Sequence, residues 1–240
     1  TYHEPTDNIP EDVIVLFWEA LCTRNSKDKD MFERVVRLPN KKALLFAGGP
    51  IKKEWLTGFD NVFWESKVNG EEYESLGNSN SLAFGINEKI MKPQISVLKY
   101  DGIHHGTCAS WKRQWLLGEA LKEKGLVVGR YQETDTRPFD DCKKFGTTVL
   151  PEQSAENISK LLNQSFTCVQ TSDKWGGGQR CTLEALACNV PVICMTDSPK
   201  NREYVEESGC GLVVEPDANK IREAVLLAKS TDWGTRGRDY

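Results

Sequence analysis

The 240-residue sequence predicts an α/β protein with parallel sheets, arranged as two Rossmann-type domains of which the first is short or truncated. Three observations carry this expectation. From about Ile95 onward, apolar strand-like runs alternate with helix-like segments, as in a parallel sheet wrapped by helices. A glycine loop, Trp175-Gly-Gly-Gly-Gln-Arg, runs into a helical stretch bearing one acidic residue, Glu184, and then into an apolar strand; glycines let backbone N–H groups approach a phosphate, and a helix N-terminus favours its charge. The first part holds only a few strands with short helices, which is thin for an α/β layer that must bury both faces of its sheet.

Taken in order, residues 13–18 and 42–47 read as strands on either side of a helix over 30–38. A third strand is expected at 61–64, a helical turn at 71–76 and a fourth strand at 82–85. A boundary near Lys92-Pro93 then separates a first Rossmann-like domain, 1–92, from a second, 93–240. In the second part, 95–99 is expected to be the first strand and 111–122 a helix with Leu117, Ala120 and Leu121 on one face, closed by Gly125. Residues 126–128 form the second strand, 129–146 carry no assignable element, and 147–150 form a short third strand. A helix over 151–164 presents Ile158, Leu161 and Leu162, and 166–170 form the strand that leads into the glycine loop. Beyond the loop come a helix at 182–188, a buried strand at 190–195, a helix at 200–208 stopped by Gly209, and a strand at 212–214. Asp217 caps a last helix with Ile221, Ala224, Val225 and Ala228 at i, i+3, i+4 and i+7. Ligands of such sheets sit beyond the carboxyl ends of the strands, where the loop after Gln170 lies.

A net charge of −4 gives no global electrostatic reason to bind nucleic acid or an acidic membrane, although local basic pockets and a peripheral membrane contact remain open. The eight cysteines form no CxxC pair and several lie in apolar runs, so they are read as reduced and the chain as cytoplasmic, with disulfides the lesser alternative. The sequons at Asn157 and Asn163 fall on one polar helical face and are read as chance matches. No apolar run reaches the length of a membrane span and no signal peptide is visible. A chain that begins at Thr1 and stops at Tyr240 in a polar stretch is expected to be an excised or incomplete gene product.

Over roughly 95–227 the sequence resembles the nucleotide-binding domain of GT-B glycosyltransferases, the large retaining group that uses nucleotide-activated sugars. Leu183-Glu-Ala-Leu-Ala-Cys-Asn-Val-Pro-Val-Ile-Cys is similar to the family's LEALACGVPVI segment, and Asn201-Arg-Glu-Tyr-Val-Glu-Glu-Ser-Gly-Cys-Gly-Leu-Val-Val to its PEIVEDGENGLLV segment. In the first half, Ser81-Leu-Ala-Phe-Gly-Ile-Asn-Glu-Lys-Ile-Met-Lys-Pro resembles the end of the family's N-terminal domain. The resemblance implies transfer of a hexose from a nucleoside diphosphate sugar, such as a UDP- or GDP-sugar, to a hydroxyl of a glycan, lipid or protein acceptor, with retention and without metal or cofactor. The alternative is a non-catalytic nucleotide-sugar-binding module or inactive subunit of the same fold.

The same resemblance implies the site residues. Family members carry two glutamates eight positions apart; Glu184 matches the second, which holds the ribose, while the first position is occupied by Gly176. Gly176, Gly177 and Gly178, with Arg180 at the loop's end and Lys112 and Arg113 after the first strand, are expected around the pyrophosphate, where cations offset the charge of the departing diphosphate. Backbone groups at Leu150 are expected to meet the base, and Trp175 to stack on a sugar, with Trp18, Trp55 and Trp64 as acceptor-side candidates or, more simply, core. The pair His104-His105 is expected in a loop after the first strand as a polar contact; no carboxylate-rich partner motif stands near it in sequence, which argues against a metal site. No general base is assigned, and the oligomeric state is left open.

Overall fold

The computed structural model describes residues 14–18, 26–46, 56–64, 66–68, 79–82, 85–131, 136–174 and 179–240. The chain divides into two compact units, Thr1–Phe84 and Gly85–Tyr240, so the division falls before the Lys92-Pro93 position expected from sequence. Met91 explains why: it is buried in the hydrophobic core of the second unit, and Arg238 Nη1 donates to its carbonyl at 3.0 Å.

In the first unit, β1 (Val15–Trp18), β2 (Lys42–Phe46), β3 (Asn61–Trp64) and β4 (Ser79–Leu82) form a parallel sheet in the order β1-β2-β3-β4, with α1 (Ser26–Arg37) between the first two strands. Phe32 and Val35, three apart on α1, share a helix face and are buried with Leu44, Phe59 and Val62. Phe32 and Phe59 meet at a ring-centroid distance of 5.7 Å. Trp64 is buried in β3, so it is core rather than an exposed stacking platform. The fourth strand begins three residues earlier than expected, at Ser79. The helical turn expected at 71–76, and Trp18's side chain and Trp55, lie outside the described residues.

The second unit contains β5 (Gly102–His105), α2 (Gln114–Leu121), β6 (Gly125–Val128), α3 (Arg137–Lys144), β7 (Thr148–Leu150), α4 (Ala155–Asn163) and β8 (Cys168–Gln170). It continues with α5 (Gln179–Ala187), β9 (Val192–Met195), α6 (Pro199–Ser208), β10 (Gly211–Val214), α7 (Ala218–Ser230) and the short α8 (Arg236–Asp239). Its six parallel strands run in the order β10-β9-β8-β5-β6-β7. The chain therefore winds outward from β5 through β6 and β7, returns to place β8 on the other side of β5, and winds out again. That reversal opens a crevice beyond the carboxyl ends of β5 and β8, where such sheets take their ligands.

Alternation along the strands builds two apolar layers. Ile103, Leu126, Val128, Cys168, Val192 and Cys194 face one core, which also holds Leu162 of α4, Leu186 of α5 and Val205 of α6. Val127, Val169, Ile193 and Met195 face the other, against Leu117 of α2, Phe139 of α3 and Ile221 of α7. Asp217 caps α7 as expected, its Oδ1 accepting the N–H groups of Asn219 and Lys220 at 2.8 and 3.0 Å. Gly209 ends α6 with φ of 58°, the left-handed conformation that glycine adopts without cost.

Three expectations are corrected. The strand expected at 95–99 is extended chain without a ladder, since Ile95 and Val97 are exposed, and the first strand of this sheet is Gly102–His105. Gly125 does not close α2; the chain turns at Lys122, with φ of 52°, and Gly125 opens β6. The unassigned 129–146 stretch contains α3, whose Phe139 and Cys142, three apart, are buried beneath an otherwise charged helix. Among the described residues seven cysteines are free, and burial pushes the Cys142 and Cys194 thiols up to about 12 and Cys210 to about 11, so these three are protonated hydrophobes. Among the same residues no helix is long and apolar enough to cross a membrane.

Candidate functional site

A cleft of about 330 Å³ lies over the carboxyl end of the second unit's sheet. Its walls come from the turns after β5 and β6, the chain entering α4, and the first turns of α5; His105, Thr107, Arg130, Gln153, Arg180 and Glu184 supply polar groups to it. The two turns approach very closely. A Cβ on Gly129 would meet the Gly106 carbonyl oxygen at 1.7 Å, and Gly106 itself has φ of +143°, so each position requires the absence of a side chain. Gly106 N–H donates to Val128 O at 2.9 Å and Gly129 N–H to Leu150 O at 3.1 Å, which stitches the ends of β5, β6 and β7 together.

His104 and His105 belong to β5 itself, not to a loop, and both are buried. Strand alternation sends them to opposite faces. His104 lies towards the α2 side, where its ring Nδ1 contacts Val169 O at 2.9 Å while Nε2 has no partner; Nδ1–H is therefore the donor and the ring is neutral. Burial first, and then the nearby charge of Lys112, lower its pKa to about 3. His105 lies on the face covered by α5, with Nε2 at 2.9 Å from Glu184 Oε2. Burial opposes charge on this imidazole, but Cys181, Cys168 and the Glu184 carboxylate together raise its pKa well above the usual histidine value.

Glu184 is only 8% exposed, one turn past Arg180 on α5. Its Oε2 pairs with His105 and its Oε1 accepts from Arg180 Nε at 3.0 Å. Burial would raise this carboxyl, yet His105 and Arg180 hold it below the usual carboxylate range, so Glu184 is an anion. Cys181 stands on the same helix face; burial opposes its ionisation, while His105 and then Lys112 lower its pKa.

The other residues singled out in the sequence are placed as follows. Lys112 is buried in a short 3-10 turn before α2, and its charge reaches both His104 and Cys181. Arg113, with φ of 49°, aims elsewhere: Nε donates to Thr171 O at 2.8 Å and the two Nη atoms clamp Asp197 at 2.8 and 2.7 Å. Arg113 thus ties the turns after β8 and β9 to the start of α2. Leu150 does not line the cleft; the residues just beyond it, Glu152 and Gln153, do. Trp175, Gly176, Gly177 and Gly178 lie outside the described residues. Sequence reasoning missed His105 and Cys181 as partners of Glu184, because β5 and α5 are 79 residues apart at the His105–Glu184 contact. The available signal was Gly106, a glycine ending a buried run, which marks a close backbone approach at a strand's carboxyl end.

Residues 126–238 match the sequence model of the family described as Glycosyl transferases group 1. This segment belongs to that family. Residues 126–238 are thus of the glycosyltransferase class, and the α/β architecture with parallel sheets is that of GT-B proteins. Sucrose-phosphate synthase from Thermosynechococcus elongatus is similar at 16% identity and a TM-score of 0.70, over 95% of this chain and 68% of that one. A glycosyltransferase from Rickettsia africae aligns at 17% identity and a TM-score of 0.68, over 94% of this chain and 69% of that one. HepE of Anabaena, solved in complex with UDP and glucose, aligns at 13% identity and a TM-score of 0.70, over 93% of this chain and 72% of that one. A comparison with curated proteins gives no match.

Proposed function

We propose that the chain binds a nucleoside diphosphate sugar in this cleft and transfers its hexose to a hydroxyl of a glycan, lipid or protein acceptor, with retention and with no metal in the transfer step. The observation that carries the reading is the anionic Glu184, anchored on its buried side and open on the other, inside a segment of the group 1 family. His105 fixes Oε2, whereas the Oε1 partner, Arg180, is 72% exposed and can yield to ribose hydroxyls. A carboxylate held this way accepts two hydroxyl hydrogens without moving. HepE, which shares the fold, was solved with UDP and glucose, and this supports the same ligand class here.

Lys112 and the backbone of Gly176, Gly177 and Gly178 would hold the pyrophosphate, with Arg180 free to turn towards it. Positive charge placed there favours the step in which the glycosidic bond breaks and the diphosphate leaves. Glu152 and Gln153, which line the cleft just beyond Leu150, would meet the base.

Thermal shift with UDP, GDP and ADP tests the donor site. A nucleotide at about 100 times its dissociation constant adds about 2.7 kcal/mol of stability. Glu184→Gln is expected to weaken that nucleotide roughly tenfold or more, since hydrogen bonds to a charged group contribute about 1.5–3 kcal/mol. No shift with any of the three overturns the reading. With a binding nucleotide in hand, transfer of its labelled sugar to a hydroxyl acceptor is the expected outcome. Binding without transfer favours the inactive-module reading, to which Gly176 at the expected glutamate position points.

A further inference from the structure

Three donor atoms of different chemistry converge under the cleft. His105 at the end of β5, and Cys181 and Glu184 three apart on α5, each offer one ligand atom, and these atoms all lie within 4.8 Å of one another. The convergence follows from local geometry: positions i and i+3 share a helix face, and strand alternation turns His105 towards the face that α5 covers. His105 and Glu184 are 4% and 8% exposed, and His105 Nδ1 is a buried ring nitrogen without a hydrogen-bond partner. We propose that His105, Cys181 and Glu184 form a binding site for a single Zn²⁺-class cation, with its fourth coordination position open to the cleft.

The donor set selects the ion. Nitrogen, sulfur and one carboxylate oxygen suit zinc and its late-transition-metal neighbours, whereas magnesium and calcium take oxygen ligands. Zinc bond lengths of about 2.0–2.3 Å in a tetrahedron put ligand atoms roughly 3.4 Å apart. The Nε2–Oε2 pair, now at 2.9 Å, opens slightly and the remaining separations, capped at 4.8 Å, close slightly. On binding, the Cys181 thiol and His105 Nε2, which carries the hydrogen donated to Glu184, each release a proton to solvent, while Arg180 stays on Glu184 Oε1.

The site has a consequence for the donor, and that consequence rests on the proposed function. A cation on Glu184 Oε2 neutralises the carboxylate whose Oε1 would accept the ribose hydroxyls, so cation occupancy weakens the nucleotide. Zinc would act as an inhibitor of the transferase rather than as a participant in it.

The test uses the full chain with Co²⁺ and Zn²⁺ as probes. Equilibrium dialysis is expected to give about one ion per chain, and Co²⁺ to show the near-ultraviolet charge-transfer band that reports a thiolate ligand. Cys181→Ser is expected to abolish that band while keeping the far-ultraviolet circular dichroism of the parent. Retention of no ion, or an unchanged band in the folded variant, overturns the site. Should the variant not fold, the parent chain decides: Zn²⁺ is expected to slow iodoacetamide alkylation of Cys181, read by peptide mass spectrometry, at least tenfold, and an unchanged rate overturns the site. Zinc is further expected to raise the dissociation constant for the bound nucleotide; independence of the two ligands overturns that weakening. Metal binding to a chain that takes up no nucleotide would leave the cation site standing and fell the donor reading alone.

Discussion

His104 makes the stability of the second unit depend on acid, and the size of the effect follows from its surroundings. The ring is fully buried, donates through Nδ1–H to Val169 O at 2.9 Å, and lies near the charge of Lys112. Burial and that cation lower its pKa from 6.5 to about 3. Because the native value lies below the unfolded one, the unfolded chain binds the extra proton at intermediate pH. The stabilisation is complete above the unfolded value of 6.5 and is lost progressively as the pH falls towards about 3. At 1.36 kcal/mol per unit, lowering the pH from about 7.5 to about 5 costs ~2 kcal/mol, and reaching about pH 4 costs ~3 kcal/mol. His105 shifts in the opposite sense, so the assay must be a difference. Urea denaturation of the parent chain and of His104→Asn, which keeps an N–H donor near Val169 but does not titrate, should give curves that converge as the pH falls. The stability gap between them should change by ~2 kcal/mol between about pH 7.5 and about pH 5. A gap that stays constant over that range would refute the idea that His104 is held neutral by its site.

Two further perturbations probe the geometry around the cleft. Gly129→Ala puts a methyl group where the Gly106 carbonyl oxygen stands, at 1.7 Å, and only backbone movement can relieve it; a loss of at least the ~1–3 kcal/mol typical of overpacking is expected in urea denaturation, with nucleotide binding falling alongside. Arg113→Ala removes the clamp on Asp197 and the bond to Thr171 O, so a lower melting temperature is expected, by an amount that stays modest because Asp197 is 44% exposed. Arg113 donors are already engaged, so nucleotide affinity, measured by calorimetry, should change by less than about threefold, well under 1.4 kcal/mol. A tenfold loss with unchanged melting would instead place Arg113 on the pyrophosphate.

The second unit was legible in the sequence because most of its strands are short apolar runs and its helices carry conventional end signals, such as Gly209 and the Asp217 cap. The first strand of that unit was not. Ile95 and Val97 alternate like a half-buried strand, yet they face solvent, whereas the true strand hides behind two histidines that read as polar until their burial is seen. The helix over Arg137–Lys144 escaped for a similar reason, since only Pro138, Phe139 and Cys142 anchor it among charged neighbours. Glu184 was found through its segment, but nothing in a linear pattern pairs it with His105. Their contact depends on which way β5 alternates and on how α5 returns across the sheet.

That pairing changes what a single carboxylate can do. A glutamate with both oxygens in water would bind ribose weakly, because ordering its side chain offsets the hydrogen bonds it gains. Glu184 is ordered beforehand: α5 fixes its backbone, burial removes competing water, and His105 holds one oxygen. The remaining oxygen pairs with an exposed arginine, so it can exchange that partner at little cost. On the proposed reading, with Gly176 at the position where the resemblance implies a second glutamate, more of the recognition would fall on this one group. The features that would prepare Glu184 for a ribose, a buried imidazole on one side and a thiol one turn away, are also those of the proposed cation's donor set. On the proposed readings, preorganisation for one ligand therefore also creates the site for its antagonist, through the opposite oxygen of the same carboxylate.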